Sequence, residues 1–259
     1  MQPRMTPIHC SQRSIVRFLM KPVAIIRHSR TEGPGHFATF LDRHSLPWTL
    51  FRIDAGDALP APSQINEFSG LCLMGGPMSV NDDLPWIPRL LELIRLMIAA
   101  DRPVIGHCLG GQLISKALGG VVSRNPVKEI GWGLVSTDDT PQAFQWLGDI
   151  KQFESFHWHG ETFTIPPGGE RILASAACPN QAYVVNGKHL GMQCHVEMTA
   201  AMIHDWCESG ADEIEASLSS PAVQTPKQIT ENLENRLHAL NTAAEQLYSR
   251  WITGLKAED

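Results

Sequence analysis

The chain of 259 residues predicts an α/β fold in which an open, mostly parallel sheet carries helices on both faces. Two observations predict it. Short, continuous apolar runs bounded by polar loops are typical of parallel strands buried on both faces. Segments with apolar residues at helical spacing alternate with these runs. The hydrophobic content of 43% is sufficient for one large α/β domain.

The first half of the chain shows this alternation most clearly. Strands are predicted at 22–27, 48–53, 69–74 and 104–108, and helices at 36–44 and 84–100. Because each pair of strands is separated by a helix or a long connection, the strands should run parallel to one another.

The second half follows a different pattern. From 130 to 194, short apolar segments are separated by turns such as P-P-G-G at 166–169 and V-N-G-K at 185–188. Turns of this kind connect antiparallel strands. We therefore expect a small antiparallel extension of the sheet. The expected division is a flexible N-terminal extension at 1–20, a main domain at 21–212 and a C-terminal helical extension at 213–259, packed on the domain or on a partner.

Two helices are expected after the sheet. The first follows Thr199. Before the second, Thr225, Pro226 and Gln228 form a capping box, and an apolar stripe continues from there to Trp251. The stripe predicts one long amphipathic helix, formed by Ile229, Leu233, Leu237, Leu240, Ala244, Leu247 and Trp251. It packs back on its own domain, or it forms a homodimer or partner-docking face.

The segment P-V-I-G-H-C-L-G-G-Q-L-I-S-K-A-L-G-G at 103–120 places Cys108 where a buried strand turns into a helix. Gly106 and Gly110 stand two residues to either side, where so tight a turn needs neighbours without a Cβ. The amides that begin the helix, including that of Leu109, can lower a thiol pKa from about 8.5 to roughly 3.5–7.5 and can bind an oxyanion. The alternative is a buried, inert cysteine, but a cysteine in the core does not require glycine at both of these positions.

A base for this thiol is expected in L-G-M-Q-C-H-V-E-M-T at 190–199. His195 and Glu197 are two residues apart, so on a strand their side chains share one face. A carboxylate beside the imidazole would fix its tautomer and stabilise the imidazolium. The alternative is a pair of solvated surface residues at a strand end.

Four motifs together resemble the class I (triad) glutamine amidotransferases. G-H-C-L-G-G-Q at 106–112 and Q-C-H-V-E at 193–197 are similar to the family's G-x-C-x-G-x-Q and Q-x-H-P-E. L-C-L-M-G-G-P-M-S-V at 71–80 resembles its G-G-P-x-S loop, and F-H-W-H-G-E-T-F at 156–163 resembles its H-G-D/E segment. The motifs occur in the family's order between about 22 and 199. V-K-E-I-G-W-G at 127–133 makes the chain most similar to stand-alone proteins related to the glutaminase domain of GMP synthase.

The resemblance implies a flavodoxin-like fold whose catalytic domain is the segment 21–212. It implies a triad of Cys108, His195 and Glu197, and an oxyanion hole formed by the amides of Gly76 and Leu109. It also implies a set of residues that bind the substrate glutamine: Gln112, Trp158, His159, Gly160 and Glu161. Two positions depart from the family pattern. His107 replaces an apolar residue, and we expect a packed core histidine or a second polar contact near the thiolate; Val196 replaces a proline and should leave the triad intact.

If the resemblance holds, Cys108 attacks the glutamine side-chain amide, and His195 gives a proton to the departing ammonia. Water then hydrolyses the γ-glutamyl thioester to glutamate. The sequence has no G-x-x-x-x-G-K-[ST] loop that would indicate a synthetase half to use the ammonia. Two alternatives follow. In the first, a separate synthetase subunit accepts the ammonia. In the second, the substrate is a γ-glutamyl amine or peptide, as for a γ-glutamyl hydrolase or peptidase. A regulatory or binding protein that has kept the fold is a third alternative.

A zinc site built from His157, His159, Cys178 and Cys194 is a weak fourth hypothesis, because H-x-H alone is not specific and the family segment already explains it. No metal or cofactor is therefore expected.

Composition limits the partners. The net charge of −6 with a pI of about 6.0 argues against nucleic acid and anionic membranes, which favour a basic patch. Six cysteines without a C-x-x-C pair indicate no disulfide framework. No run approaches the roughly 20 apolar residues of a membrane span. We expect a soluble, cytoplasmic protein.

Overall fold

The computed structural model describes residues 20–256, so the expected flexible extension at 1–20 lies, except for Met20, outside the described residues. Within that range the sheet has ten strands. They are β1 (Val23–Arg27), β2 (Trp48–Arg52), β3 (Gly70–Leu73), β4 (Val104–His107), β5 (Val122–Thr137), β6 (Gln152–Phe163), β7 (Gly169–Ala174), β8 (Ala182–Val185), β9 (His189–Met192) and β10 (Ala222–Val223).

Eight α-helices accompany the strands in this part of the chain. They are α1 (Gly35–Arg43), α2 (Trp86–Ala99), α3 (Leu109–Ala117), α4 (Pro141–Leu147), α5 (Ala200–Ser209), α6 (Ala211–Ser217), α7 (Pro226–Thr230) and α8 (Leu233–Ile252). Two 3₁₀-helices, Ile53–Ala55 and Pro62–Glu67, lie on either side of the loop before β3. No helix among residues 20–256 combines the length and the apolar character needed to cross a bilayer.

The strand order is β10-β5-β7-β8-β9-β4-β3-β1-β2, with β6 paired to β5. The five strands β9, β4, β3, β1 and β2 run parallel to one another. Strands β5 to β9 pair antiparallel, while β10 adds a short parallel edge to β5. The predicted mostly parallel sheet with an antiparallel extension is therefore confirmed.

Helices cover both faces of the sheet, and each face has its own apolar core. One core packs Phe37 and Phe40 of α1 against Trp251 of α8. The other packs Leu90 of α2 and Leu113 of α3 against the opposite face. This two-sided burial explains the continuous apolar runs of β1, β3 and β4, because their side chains face a core on either side.

The antiparallel part differs in strand length from the expectation of short strands. β5 has 16 residues and β6 has 12, and they pair along most of their length. The pairing register shifts between Arg124 and Glu129, around Pro126, so the long strand accommodates a residue that cannot donate to the ladder.

The C-terminal helix is also interrupted. The capping box at Thr225 and Gln228 is present, but it begins the five-residue α7, and Asn232 then adopts a left-handed conformation with φ of 55° before α8 starts. The expectation of one continuous helix was therefore wrong, because Asn tolerates this conformation and redirects the chain. The apolar face of α8 is buried against α1, α4 and β6 of the same chain.

Candidate active site

Cys108 lies on the turn that joins β4 to α3. Its φ of 48° and ψ of −108° place it in a strained backbone region that residues with a Cβ rarely adopt. A Cβ on Gly106 would lie 2.3 Å from the carbonyl carbon of Gly110, and a Cβ on Gly110 would lie 2.2 Å from the carbonyl oxygen of Leu73. The two glycines are thus required by close backbone contacts, as the sequence predicted.

His195 and Glu197 follow β9, which is the neighbour of β4. Nδ1 of His195 lies 2.7 Å from Oε1 of Glu197, and both side chains are buried. Nε2 of His195 has no hydrogen-bond partner among the described residues, and its ring lines the same cavity as Cys108. The predicted residues are therefore brought together, although His195 sits in an isolated bridge with Phe156 and not in the strand that was expected.

Opposing effects act on the protonation of His195. Burial lowers the pKa of the imidazole, but the carboxylate of Glu197 and the sulfur of Cys108 outweigh it and hold this pKa well above its usual value. Burial likewise raises the pKa of Glu197, while His107 and His195 bring it below its usual value. An imidazolium flanked by a carboxylate is the charge state that this arrangement favours.

His107 lies behind the triad and not beside the thiol. Its Nε2 is 3.0 Å from the hydroxyl of Tyr248 and 3.9 Å from Oε2 of Glu197, and the side chain is fully buried. His107 was expected to be either a packed core histidine or a second polar contact near the thiolate. It is a packed core histidine, and the carboxylate that it approaches is that of Glu197. Val196, the second departure from the family pattern, is buried in the apolar core.

Gln193 is a site residue that the sequence analysis did not single out. Its Nε2 donates to Sγ of Cys108 over 3.5 Å, and its Oε1 accepts from Nε2 of Gln112 over 3.1 Å. The glutamine of Q-x-H-P-E was visible in the motif, but only the folded chain shows that its amide reaches the sulfur.

The two expected oxyanion residues, Gly76 and Leu109, pack against each other. A Cβ on Gly76 would lie 2.7 Å from Cδ2 of Leu109, and Gly76 lines the cavity. Neither backbone N–H donates a hydrogen bond within residues 20–256. His28 supports the loop before Gly76, since its Nδ1 lies 3.0 Å from the carbonyl oxygen of Met74.

The five expected substrate-binding residues all line the cavity. The carbonyl oxygen of Trp158 is 3.9 Å from Sγ of Cys108, and a Cβ on Gly160 would meet nothing within 4 Å. The side chain of Glu161 accepts a hydrogen bond of 3.1 Å from Ser79. This segment of β6 therefore presents open backbone beside the sulfur.

Glu129 on β5 contacts the same segment of β6 through His159. Its Oε2 is 2.9 Å from Nε2 of His159, and Nδ1 of His159 is 2.9 Å from the carbonyl oxygen of Glu161. His157 completes a buried group with these two residues, in which the ligand-type atoms lie within 4.8 Å of one another. Two of the four residues in the zinc hypothesis, Cys178 and Cys194, do not belong to this group among the described residues, so the four-residue site was wrong.

The cavity has a volume of about 450 Å³. Besides the expected residues it is lined by Glu32, which follows β1 and was not identified from the sequence. The lining contains three acidic side chains, Glu32, Glu161 and Glu213, and none of the lining residues in the described chain is a lysine or an arginine. Trp206 closes one wall, with its ring 5.0 Å from the His195 ring and perpendicular to it.

A family model for class I glutamine amidotransferases matches residues 43–204, more than half of the chain. The chain belongs to this family. A solved glutamine amidotransferase from Methylobacillus flagellatus is 50% identical, covers 93% of this chain and 97% of its own, and superimposes with a TM-score of 0.90.

Two curated relatives represent different reactions within the glutamine amidotransferase family. A GMP synthase from Aeropyrum pernix is 33% identical over an aligned region that spans 55% of this chain and 26% of that longer protein. Gamma-glutamyl peptidase 3 from Arabidopsis thaliana is 23% identical over 66% of this chain and 72% of its own length. The chain is therefore similar to proteins named for each of the two reactions considered from the sequence.

Proposed function

We propose that this amidotransferase hydrolyses the side-chain amide of glutamine through a γ-glutamyl thioester on Cys108. One observation carries the proposal. Nδ1 of His195 is held by Glu197 at 2.7 Å, and its unpartnered Nε2 belongs to the ring that lines the same cavity as the strained Cys108. A nucleophile, a base and a group that orients the base are the three parts that covalent acyl transfer needs.

In the first step the Cys108 thiolate attacks the carbonyl carbon of the amide, and the negative charge moves to the amide oxygen. The free N–H groups of Gly76 and Leu109 are the donors for that oxygen. Each donor in such a site contributes on the order of 3 kcal/mol to transition-state stabilisation. The amide of Gln193 stabilises the thiolate before the attack.

The carbon–nitrogen bond then breaks as His195 gives its proton to the nitrogen, and ammonia leaves. A water molecule next loses a proton to His195 and attacks the thioester, so the carbon–sulfur bond breaks and glutamate is released. Gln112 and the backbone from Trp158 to Glu161 hold the glutamyl end of the substrate in both steps.

The size of the cavity favours a second candidate, hydrolysis of a γ-glutamyl amine or peptide by the same residues. Pockets of about 300–1,000 Å³ enclose drug-sized ligands, so a cavity of about 450 Å³ has room for a leaving group larger than ammonia. The similarity to a γ-glutamyl peptidase agrees with this candidate.

The test is to incubate the protein with glutamine and with a panel of γ-glutamyl amines and peptides, measuring glutamate and amine release. Cys108→Ala should abolish every activity, and mass spectrometry of the unaltered protein should trap a γ-glutamyl adduct on Cys108. Glutamine turnover supports the first candidate, and turnover of γ-glutamyl compounds alone supports the second. No turnover of any compound and no adduct would contradict both.

A further inference from the structure

Glu32 occupies the part of the cavity where a leaving group would stand. A Cβ on Gly75 would lie 2.0 Å from Oε2 of Glu32 and 3.2 Å from Cε1 of His195, so the carboxylate and the imidazole edge both lie close to one point. Cε1 is bonded to Nε2, the buried and unpartnered atom that faces the cavity. Because Nε2 is the atom that would protonate the leaving nitrogen, whatever is attached to that nitrogen extends beside Glu32.

The carboxylate of Glu32 has no partner in the described part of the chain. No side-chain or backbone donor among residues 20–256 forms a hydrogen bond or ion pair with it. Burial raises the pKa of Glu32 to about 7, with a smaller contribution from the Glu197 carboxylate, while His195 acts in the opposite direction. A carboxylate in such surroundings gains strongly from a cation that enters the cavity.

The rest of this side of the cavity suits a cationic group as well. Thr31 and Ser29 offer oxygen atoms, and the indole of Trp206 offers an aromatic wall. The carboxylate of Glu213 also lines the cavity, but it is already paired with Lys128 and accepts the indole N–H of Trp158 over 2.8 Å. Apart from the histidines His159 and His195, no residue that lines the cavity in the described chain has a basic side chain. In the proposed function the glutamyl end is held by Gln112 and the segment around Gly160, so Glu32 has no part in holding it.

From this geometry we propose that Glu32 forms a leaving-group subsite that selects γ-glutamyl amides whose amine carries a second, positively charged nitrogen, such as a diamine. The inference rests on the second candidate under the proposed function, hydrolysis of γ-glutamyl amines, since it assigns the substrate class of that same site. Hydrolysis would break the γ-glutamyl carbon–nitrogen bond with water, and it would release glutamate and the free diamine after one proton passes from His195 to the leaving nitrogen.

The experiment compares two amides that differ only in the second nitrogen, γ-glutamyl-1,4-diaminobutane and γ-glutamyl-butylamine. We expect kcat/KM to be at least about tenfold higher for the diamine derivative, which corresponds to about 1.4 kcal/mol. The readout is the ratio of the two values within each variant and not the absolute rate. Glu32→Gln should bring the ratio close to one, and Glu32→Asp should retain part of it.

Glu170→Gln is the matched control, because Glu170 is an exposed carboxylate on β7 that does not line the cavity, and this change alters the net charge equally. The ratio should be unchanged in this variant. If Glu32→Gln lowered kcat/KM equally for both amides and kept their ratio, Glu32 would act on His195. That result would overturn the subsite.

Binding to Cys108→Ala separates the subsite from the reaction. Calorimetry should show at least about tenfold tighter binding of the diamine derivative than of the butylamine derivative, and the added change Glu32→Gln should remove the difference. Equal binding of the two compounds overturns the subsite. Preferential binding together with no turnover by the unaltered protein supports the subsite and contradicts the proposed function, so the two failures are distinguishable.

Discussion

Cys108 differs from the other thiols that the structure describes in its surroundings. Cys72 and Cys194 are fully buried in the apolar core, and burial raises the pKa of Cys194 to about 12 and that of Cys72 well above its usual value. Cys108 instead lines the cavity and receives the amide of Gln193. Only a thiolate is strongly nucleophilic, so these residues should react very differently.

We therefore expect a glutamine-like chloroketone to alkylate Cys108 well before Cys72 or Cys194 at pH 7. Peptide mapping by mass spectrometry at a series of times measures the three rates in one sample. Similar rates at all three positions would rule out an activated thiol at Cys108.

Gln193→Leu tests the contribution of the amide to that activation. Removing a hydrogen bond to a charged group costs about 1.5–3 kcal/mol, so the alkylation rate of Cys108 at neutral pH should fall by about tenfold or more. Leucine preserves the approximate volume of the side chain. An unchanged alkylation rate would show that the amide does not activate the sulfur.

At the scale of single elements, the short segment between α7 and α8 determines where α8 lies. Asn232 has a left-handed backbone, and the seven residues of α8 that face the core are buried only because the chain changes direction there. The left-handed conformation costs roughly 1 kcal/mol for a residue with an ordinary Cβ and little for glycine.

Asn232→Ala should accordingly lower the free energy of unfolding by about 1 kcal/mol, whereas Asn232→Gly should leave it nearly unchanged. Denaturant unfolding followed by circular dichroism measures both. If alanine were tolerated as well as glycine, the left-handed residue would not be the element that breaks the helix.

The sequence predicted those elements whose signals are local. The parallel strands, α2 and the Cys108 turn lie within about two residues of their predicted positions, because apolar runs and glycine spacing depend only on neighbouring residues. The two-residue β10 and the break at Asn232 were missed, since a paired edge and a tolerated asparagine depend on contacts made across the fold.

The same distinction applies to the candidate site. Cys108, His195 and Glu197 were predicted because their motifs are compact, and their geometry agrees. Gln193 and Glu32 could not be assigned from spacing, since one acts across neighbouring strands and the other reaches the cavity from the loop after β1. Long-range juxtaposition of this kind becomes visible only when the chain is folded.

At the scale of the whole molecule, the two-sided core buries histidines that must remain neutral. Burial lowers the pKa of His28 to about 4 and that of His189 to about 4, the latter with help from the charge of Lys188. Nδ1 of His189 accepts a hydrogen bond of 3.2 Å from the backbone N–H of Val104, and a protonated nitrogen cannot accept it. Protonation therefore opposes folding at the start of β4, the strand that leads to Cys108.

Between pH 4 and pH 6.5 the unfolded chain should bind more protons at these histidines than the folded chain does. These histidines make the free energy of unfolding rise with pH, by up to about 1.4 kcal/mol per pH unit each, and their stabilisation is complete above about pH 6.5. It is lost as the pH falls through the window towards 4. Glu32, whose pKa burial raises to about 7, contributes a slope of the opposite sign as the pH rises towards 7. Urea unfolding at several pH values measures this slope.

His189→Asn isolates one contribution, because Oδ1 of asparagine can accept the hydrogen bond from Val104 and does not titrate. We expect the slope of unfolding free energy against pH to decrease by up to about 1.4 kcal/mol per pH unit in that window. His204→Asn, at an exposed position on α5, is the control and should leave the slope as it is. An equal slope in His189→Asn and the unaltered protein would mean that His189 is not held neutral by the fold, and that the acid sensitivity of β4 has another source.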